Sequence, residues 1–261
     1  MTNRLRSWTE ALLAHLPALI PSSCALCAGA AAQALCRPCR AQFFPTPAVH
    51  RCDCCALPSQ DGLRCGACLR DPPAFDATIA AADYIAPVDQ LVLQLKFGTR
   101  LALAPLFGST LLDAIVARGN SAVALPTILA PVPLSAQRLS QRGFNQALEI
   151  ARPLARSLGI PLFAQLAERV RETRAQAELP LRERQHNVRA AFDLRHQSID
   201  QIPGQHIGIV DDVMTTGATL NELAKILKSF GAVRVTNLVF ARTLPPGIDL
   251  SGGVHVSRRT G

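Results

Sequence analysis

At 261 residues the chain has room for one ordinary domain plus a small accessory module, and 49% apolar against 18% charged residues exclude a disordered or fibrous polypeptide. Every long apolar run is broken by His, Pro, Arg or Asp before the ~18 residues a spanning helix needs, so no membrane span is expected. The formal charge is +8 and 24 of the 27 cations are arginines, which favours anionic partners without naming one, because arginine richness also arises from plain sequence bias.

At the N-terminus, Arg4 and Arg6 ahead of the run Ala11 to Ile20 have the outline of a short signal peptide. Glu10 and His15 interrupt that run, while Trp8, Leu12, Leu16 and Leu19 recur at helical spacing. An amphipathic helix over 1–22 of a cytoplasmic protein is therefore expected.

All nine cysteines lie between Cys24 and Cys68. Eight form four C-x-x-C turns: Cys24/Cys27, Cys36/Cys39, Cys52/Cys55 and Cys65/Cys68. One such turn aims two thiolates at one ion, and two turns complete the sulfur tetrahedron that Zn²⁺ prefers. The spacing predicts two consecutive zinc ribbons over 23–72. Interleaved pairing of the turns also satisfies the spacing, and disulfides or redox turns are the competing chemistries, disfavoured by a reducing cytosol and by the missing βαβ context. With all four ligands sulfur, such a metal is structural rather than catalytic. Cys54 is left over.

After Pro72-Pro73 the pattern changes to apolar runs alternating with helical stripes, which predicts an α/β domain with a mostly parallel sheet over 73–242. Pro105 opens a helix that stops at Arg118-Gly119, and Thr127 to Val132 reads as a strand. Asn145 to Leu158 reads as a helix closed by Gly159, which Pro153 must bend or shorten. His206 to Val210 is a further strand, Leu220, Leu223, Leu227 and Phe230 make a helical stripe stopped by Gly231, and Val233 to Ala241 is the last strand. Residues 243–261 have no period and are expected to form a loose tail.

The chemistry concentrates after the strand ending at Val210. Two acids, Asp211 and Asp212, are expected to leave that strand at the edge of the sheet where open α/β folds bind ligands. Thr215, Thr216, Gly217, Ala218 and Thr219 follow, offering small side chains, hydroxyls and amides before a helix N-terminus, a seat for a phosphate. No Lys follows the Gly, so this is not the loop of nucleoside triphosphatases. A pentose phosphate satisfies both halves, its hydroxyls on the acids and its phosphate on the amides. The bland alternative, an Asp-Asp turn and a threonine cap, accounts for either half alone but not for the ordered string.

The string IVDDVMTTGAT resembles the motif that binds 5-phosphoribosyl 1-pyrophosphate (PRPP) in type I phosphoribosyltransferases. That resemblance implies Asp211 and Asp212 on the ribose hydroxyls, with Val213 beside them, and Thr215 to Thr219 on the 5′-phosphate. LKFGTRLALAP at 95–105, PVPLSAQRLSQRGFNQA at 131–147 and the segment from Arg169 to Phe192 are similar to the ComF/GntX family, in which a cysteine-rich zinc module precedes a phosphoribosyltransferase domain. By the same resemblance Pro131 to Leu134 occupies the place of the pyrophosphate loop. Arg138 and Arg142 become candidates for the pyrophosphate, Lys96 and Arg100 for phosphate contact, and Thr173, Gln176, Arg184 and Asn187 belong to a flap that would exclude water. Phe144 reads as packing, and Asn145 and Gln146 as a cap and a helix start. None of the six His has ligand spacing.

Two functions follow from the resemblance. The first is a Mg²⁺-dependent phosphoribosyltransferase acting on an acceptor the sequence does not reveal, with Asp211 and Asp212 at the reacting sugar. The second is a competence or DNA-uptake factor without turnover, keeping the PRPP pocket for regulation and binding single-stranded DNA or other uptake proteins. Residues 131–195 hold 11 Arg against six acids, which suits a phosphate backbone. Aromatics are only 5%, so stacking platforms for bases are scarce.

Overall fold

The computed structural model describes residues 22–44, 50–59, 63–97, 100–118, 124–170 and 191–245. The expected N-terminal helix, the flap residues Thr173, Gln176, Arg184 and Asn187, and positions 246–261 lie outside the described residues.

The larger domain is built on four parallel strands, β3 (Ala77–Asp83), β4 (Ile128–Pro131), β7 (His206–Met214) and β8 (Arg234–Arg242), in the order β3-β8-β7-β4. The central strands read as near-continuous apolar runs because both their faces are covered. Ile207, Ile209, Val235 and Val239 pack on one face against Leu220, Leu223, Ala224 and Leu227 of helix α8 (Ala218–Ser229). Val210, Leu238 and Phe240 pack on the other against α3 (Val88–Phe97), α4 (Ala104–Ala117) and α6 (Gln146–Leu158).

Chain direction opens a crevice at one end of this sheet. Helix α6 leads outward from β4 to residues 161–163, which bond the free edge of β4 through Leu129 N to Pro161 O at 2.9 Å and Phe163 N to Leu129 O at 2.8 Å. Helix α8 instead leads inward from β7 to β8. The two crossovers depart in opposite directions and their helices cover opposite faces, the arrangement that leaves a ligand crevice beyond the C-terminal ends of the strands between them.

Pro153 neither ends nor shortens α6, which runs unbroken to Leu158 and stops at Gly159 in the left-handed region. Asn145 caps it as expected, accepting from Ala147 N at 3.0 Å while its Nδ2 donates to Val132 O at 3.0 Å. The Pro153 ring instead faces Gly108 of α4.

The cysteine block folds as two ribbons, paired consecutively, that repeat one another. Each begins with a C-x-x-C turn and enters a short helix capped by its third cysteine: Cys36 before α1 (Arg37–Phe43) and Cys65 before α2 (Gly66–Arg70). The residue after each first turn, Ala28 or Ala56, takes the same left-handed conformation, with φ of 60° and 59°. The first ribbon, which includes the small pair β1 (Ser22–Ser23) and β2 (Ala30–Ala31), packs Cys24, Leu35 and Cys39 onto the α3, α4 and α6 side. The second packs Cys52, Cys54, Cys55 and Cys68 onto the α8 side.

The second ribbon also closes the outer edge of β3. Thr78 N donates to Asp53 O at 3.0 Å, and Arg51 grips Asp83 with two hydrogen bonds of 2.9 Å. Unpaired strand edges invite association with other chains, and this cover removes one.

Replacing Gly108 by Ala places a Cβ 2.9 Å from Pro153 Cγ and 3.3 Å from Ile150 O and Leu154 N. Urea denaturation of Gly108→Ala is expected to show a loss of about 1–3 kcal/mol, since two helices at this separation cannot part without disturbing the core. An unchanged midpoint would mean that the helices separate freely.

Candidate functional site

The acids sit differently from the sequence expectation. They do not leave the strand: β7 continues through them to Met214, paired with β8 by Asp211↔Val239, Val213↔Ala241 and Met214↔Arg242. On its other side β7 loses its neighbour, because β4 ends with Pro131↔Val210 and a last bond from Val132 N to Val210 O. The strand persists because one partner suffices to hold it, and the gap beside it is the crevice.

That crevice is a cleft of about 820 Å³. Asp211, Asp212, Val213, Thr215 and Thr219 line it, as do Lys96, Arg138 and Arg142. Val132, Pro133 and Leu134, which follow β4, form its opposite wall. Thr216, Gly217 and Ala218 belong to the same loop but are not among the lining residues. Arg100 lies elsewhere, donating to Gln94 Oε1 at 3.2 Å. Phe144 both packs against the core and reaches the cleft wall.

Lys96 meets a carboxylate rather than open space: its Nζ is 2.9 Å from Asp212 Oδ2. Asp212 is 7% exposed and its Oδ1 accepts from Val213 N at 2.8 Å. Asp211 Oδ1 accepts from Asp212 N at 2.9 Å. Burial of the Asp211 carboxyl, reinforced by the Asp212 charge beside it, pushes its pKa up to about 8, so neutral solution leaves it largely protonated.

Arg142 ends the short helix α5 (Ala136–Arg142), stacks over the Phe97 ring at 5.3 Å and donates to Gln146 Oε1 at 3.1 Å. Burial lowers its pKa, an effect opposed by the charges of Asp212 and Asp211, and the guanidinium stays charged. Ser135 opens α5 by accepting from Arg138 N, and Gly143 closes it in the left-handed region.

The loop turns at Gly217, which has φ of +81° and caps α8. A Cβ there would lie 2.6 Å from Met214 Cε. The left-handed conformation is what calls for glycine here, since the flexible Met214 tip could move aside for a Cβ.

Several lining residues escaped the sequence reading. Arg169 comes from β5 (Ala167–Arg169), which pairs with β6 (Phe192–Leu194), and its guanidinium lies 5.5 Å over Phe192. Its only sequence signal is that it opens the arginine-rich stretch. Thr243, read as the start of a tail, donates its amide to Met214 O at 3.0 Å and lines the cleft. Counting Arg169, four cations and two carboxylates line the cleft.

The two Cys₄ groups form a second constellation. In each, the four sulfurs lie within 4.8 Å of one another. Cys27 Sγ to Cys36 Sγ and Cys55 Sγ to Cys65 Sγ are both 3.7 Å, the edge of a tetrahedron with Zn–S bonds of ~2.3 Å. Cys52 Sγ accepts from the amides of Cys55 at 3.5 Å and Cys65 at 3.3 Å, as a metal-bound thiolate does. Burial opposes ionisation of Cys24, but the backbone amides of Cys27, Cys36 and Leu26 outweigh it and hold that thiol at about 6. The residues fit structural zinc in both sites. Cys54 stands outside them, buried, with its thiol directed at Phe75 O.

These features define the class: a type I phosphoribosyltransferase fold carrying a double zinc ribbon. Residues 145–244 match the phosphoribosyl transferase domain and residues 15–69 the double zinc ribbon domain. The chain is 38% identical over 198 residues to DNA utilization protein YhgH of Salmonella typhi, covering 75% of this chain and 86% of that one. It is 32% identical over 202 residues to Competence protein F of Haemophilus influenzae, covering 77% and 87%. The chain belongs to the ComF family. Among solved structures, a glutamine PRPP amidotransferase from B. subtilis aligns at 16% identity with a TM-score of 0.31, covering 54% of this chain and a quarter (25%) of that enzyme. Among the described residues no helix is long and apolar enough to cross a membrane.

Two outcomes are expected. Elemental analysis should find two zinc ions per chain, falling to one in Cys39→Ser; no thiophilic metal at all would contradict the geometry. The folded state also holds a proton on Asp211 that the unfolded chain releases at ordinary carboxylate pKa, so this group's contribution to stability declines as pH rises from about 4 to about 8. Asp211→Asn should flatten that part of the melting-temperature profile, whereas an unaltered slope would show that the proton is not there.

Proposed function

We propose that the cleft binds Mg²⁺-PRPP and that the protein transfers the ribosyl 5-phosphate to an acceptor with release of pyrophosphate. The observation that carries this reading is the meeting of Asp211 and Asp212 with Thr215 and Thr219 of the following loop and the cations Lys96, Arg138 and Arg142 around one cleft. In this reading the sugar hydroxyls engage the two carboxylates and the 5′-phosphate sits on the loop amides at the start of α8. Lys96, already on Asp212, is near enough to follow the charge as ligand arrives.

Hard carboxylate oxygens at Asp211 and Asp212 suit magnesium, which would neutralise the leaving pyrophosphate. Arg138 and Arg142 would orient the pyrophosphate oxygens and share their charge. As pyrophosphate leaves, positive charge grows at the sugar C1, and the Asp212 carboxylate, joined by Asp211 once that group has given up its proton, would stabilise the charge while the cleft limits competing water. The type I fold, the matched domain and the ordered motif support the reading.

A second reading rests on the names of the relatives, a DNA utilization protein and a competence protein. Here PRPP binding regulates, and the arginine-rich segment 131–195 holds single-stranded DNA by its phosphates. Release of pyrophosphate separates the two readings, because only the first requires it.

Calorimetric titration with Mg²⁺-PRPP tests the shared step. Binding is expected to strengthen as pH rises toward about 8, where Asp211 ionises, and to level off above. Asp212→Asn should weaken binding about 10- to 100-fold by removing a charged acceptor. Affinity indifferent to that substitution would remove the basis of the proposal.

A further inference from the structure

Arg242 ends β8 and is 4% exposed. Its guanidinium is engaged by four main-chain carbonyls: Nε donates to Cys55 O at 2.9 Å, and Nη1 to Met214 O at 3.0 Å, to Thr243 O at 2.8 Å and to Thr215 O. One planar group thus joins a ligand residue of the second Cys₄ site to the first residues of the loop that precedes α8. Among the described residues no carboxylate pairs with it. A buried cation needs a counter-charge. The second Cys₄ site supplies one when filled, since four thiolates around Zn²⁺ carry a net charge of −2.

The same hydrogen bonds orient the loop. In a trans peptide the C=O of one residue and the N–H of the next point in opposite directions. Holding Met214 O and Thr215 O toward Arg242 therefore turns the amides of Thr215 and Thr216 away from the ribbon. The first ribbon makes other attachments: Gln94 Nε2 donates to Ala25 O at 3.5 Å, and Arg40 pairs with Asp113 at 2.6 Å. Both lead to α3 and α4.

We propose that Arg242 is a positioning residue that couples the second Cys₄ centre to the 214–219 loop, so that zinc in that centre and a phosphate ester on the loop reinforce each other, while the first centre stands outside the coupling. The phosphate half rests on the functional reading above; the link between zinc and loop order does not. Such coupling is reciprocal, and its usual size is about 5- to 150-fold.

The test uses the full chain loaded with zinc. Amide hydrogen exchange of the peptide spanning 214–219 is compared in the wild type, Cys39→Ser, Cys68→Ser and Arg242→Gln. Exchange should quicken about tenfold in Cys68→Ser and in Arg242→Gln, the latter with both zinc ions retained, and stay at the wild-type rate in Cys39→Ser. Equal effects of the two cysteine substitutions, or a loop undisturbed in Arg242→Gln, would overturn the proposal. Should Arg242→Gln fail to fold, Arg242→Lys retains the cation but cannot span four carbonyls, and loop protection is expected to fall while zinc content holds; wild-type protection in this variant would refute the proposal equally.

A second arm measures zinc release to a chromogenic chelator with ribose 5-phosphate as the probe. The probe should slow one of the two ions in the wild type at least fivefold and neither in Arg242→Lys. A wild-type chain that does not bind ribose 5-phosphate would count against the functional reading and the phosphate half, leaving exchange to judge the zinc half. Binding that leaves both zinc ions equally labile would overturn the coupling alone.

Discussion

Two carboxylates on consecutive residues, 211 and 212, are held on the one stretch of β7 that has lost its neighbour on the β4 side. Like charges so close, in partly dry surroundings, cannot both be ionised without help. The structure answers in two ways. Lys96 reaches Asp212 from the end of α3, and burial beside Asp212 pushes the Asp211 pKa up to about 8. Arg142 adds charge from α5, steadied by the faces of Phe97 and the amide of Gln146. The cleft thus gathers acids and cations whose charges are set by one another, as groups with displaced pKa values at functional sites commonly are.

The ribbons serve this arrangement from outside. Neither is large enough to bury a core of its own, so each draws its stability from tetrahedral sulfur sites and from the sheet face it covers. They take opposite faces. The first packs with the α3, α4 and α6 helices, which includes the element that delivers Lys96; the second packs with the α8 side and seals the edge of β3. Arg242 and the Arg51–Asp83 pair bind the second ribbon to the C-terminal ends of β8 and β3, the end of the sheet at which the cleft opens. A metal module without an open coordination position therefore still bears on the site.

Much of this was legible in the residues because local chemistry decided it. C-x-x-C turns specify a metal geometry almost alone, and Gly159 and Gly231 end their helices where left-handed backbone is needed. The string from Ile209 to Thr219 placed the acids and the loop in order. What escaped was decided by partners distant in sequence. Nothing near Asp211 announces that β8 will keep the strand going to Met214. Pro153 reads as a breaker, but α6 continues through it to Leu158 with the proline ring against Gly108 of α4. Arg169 and Thr243 reach the cleft through a hairpin and a strand pairing that no short window contains. Arg242, one arginine among 24, is distinguished only by its burial and its four carbonyls.

The claim at the centre is that one pentose monophosphate satisfies the paired acids and the loop together. A crystal structure of the zinc-loaded protein with ribose 5-phosphate and Mg²⁺ tests it most directly. The sugar hydroxyls are expected within hydrogen-bonding distance of Asp211 and Asp212 and the phosphate on the amides of residues 215–219, with Lys96 displaced from Asp212. Phosphate bound elsewhere, or a sugar that leaves the Lys96–Asp212 pair intact and touches neither carboxylate, would contradict it.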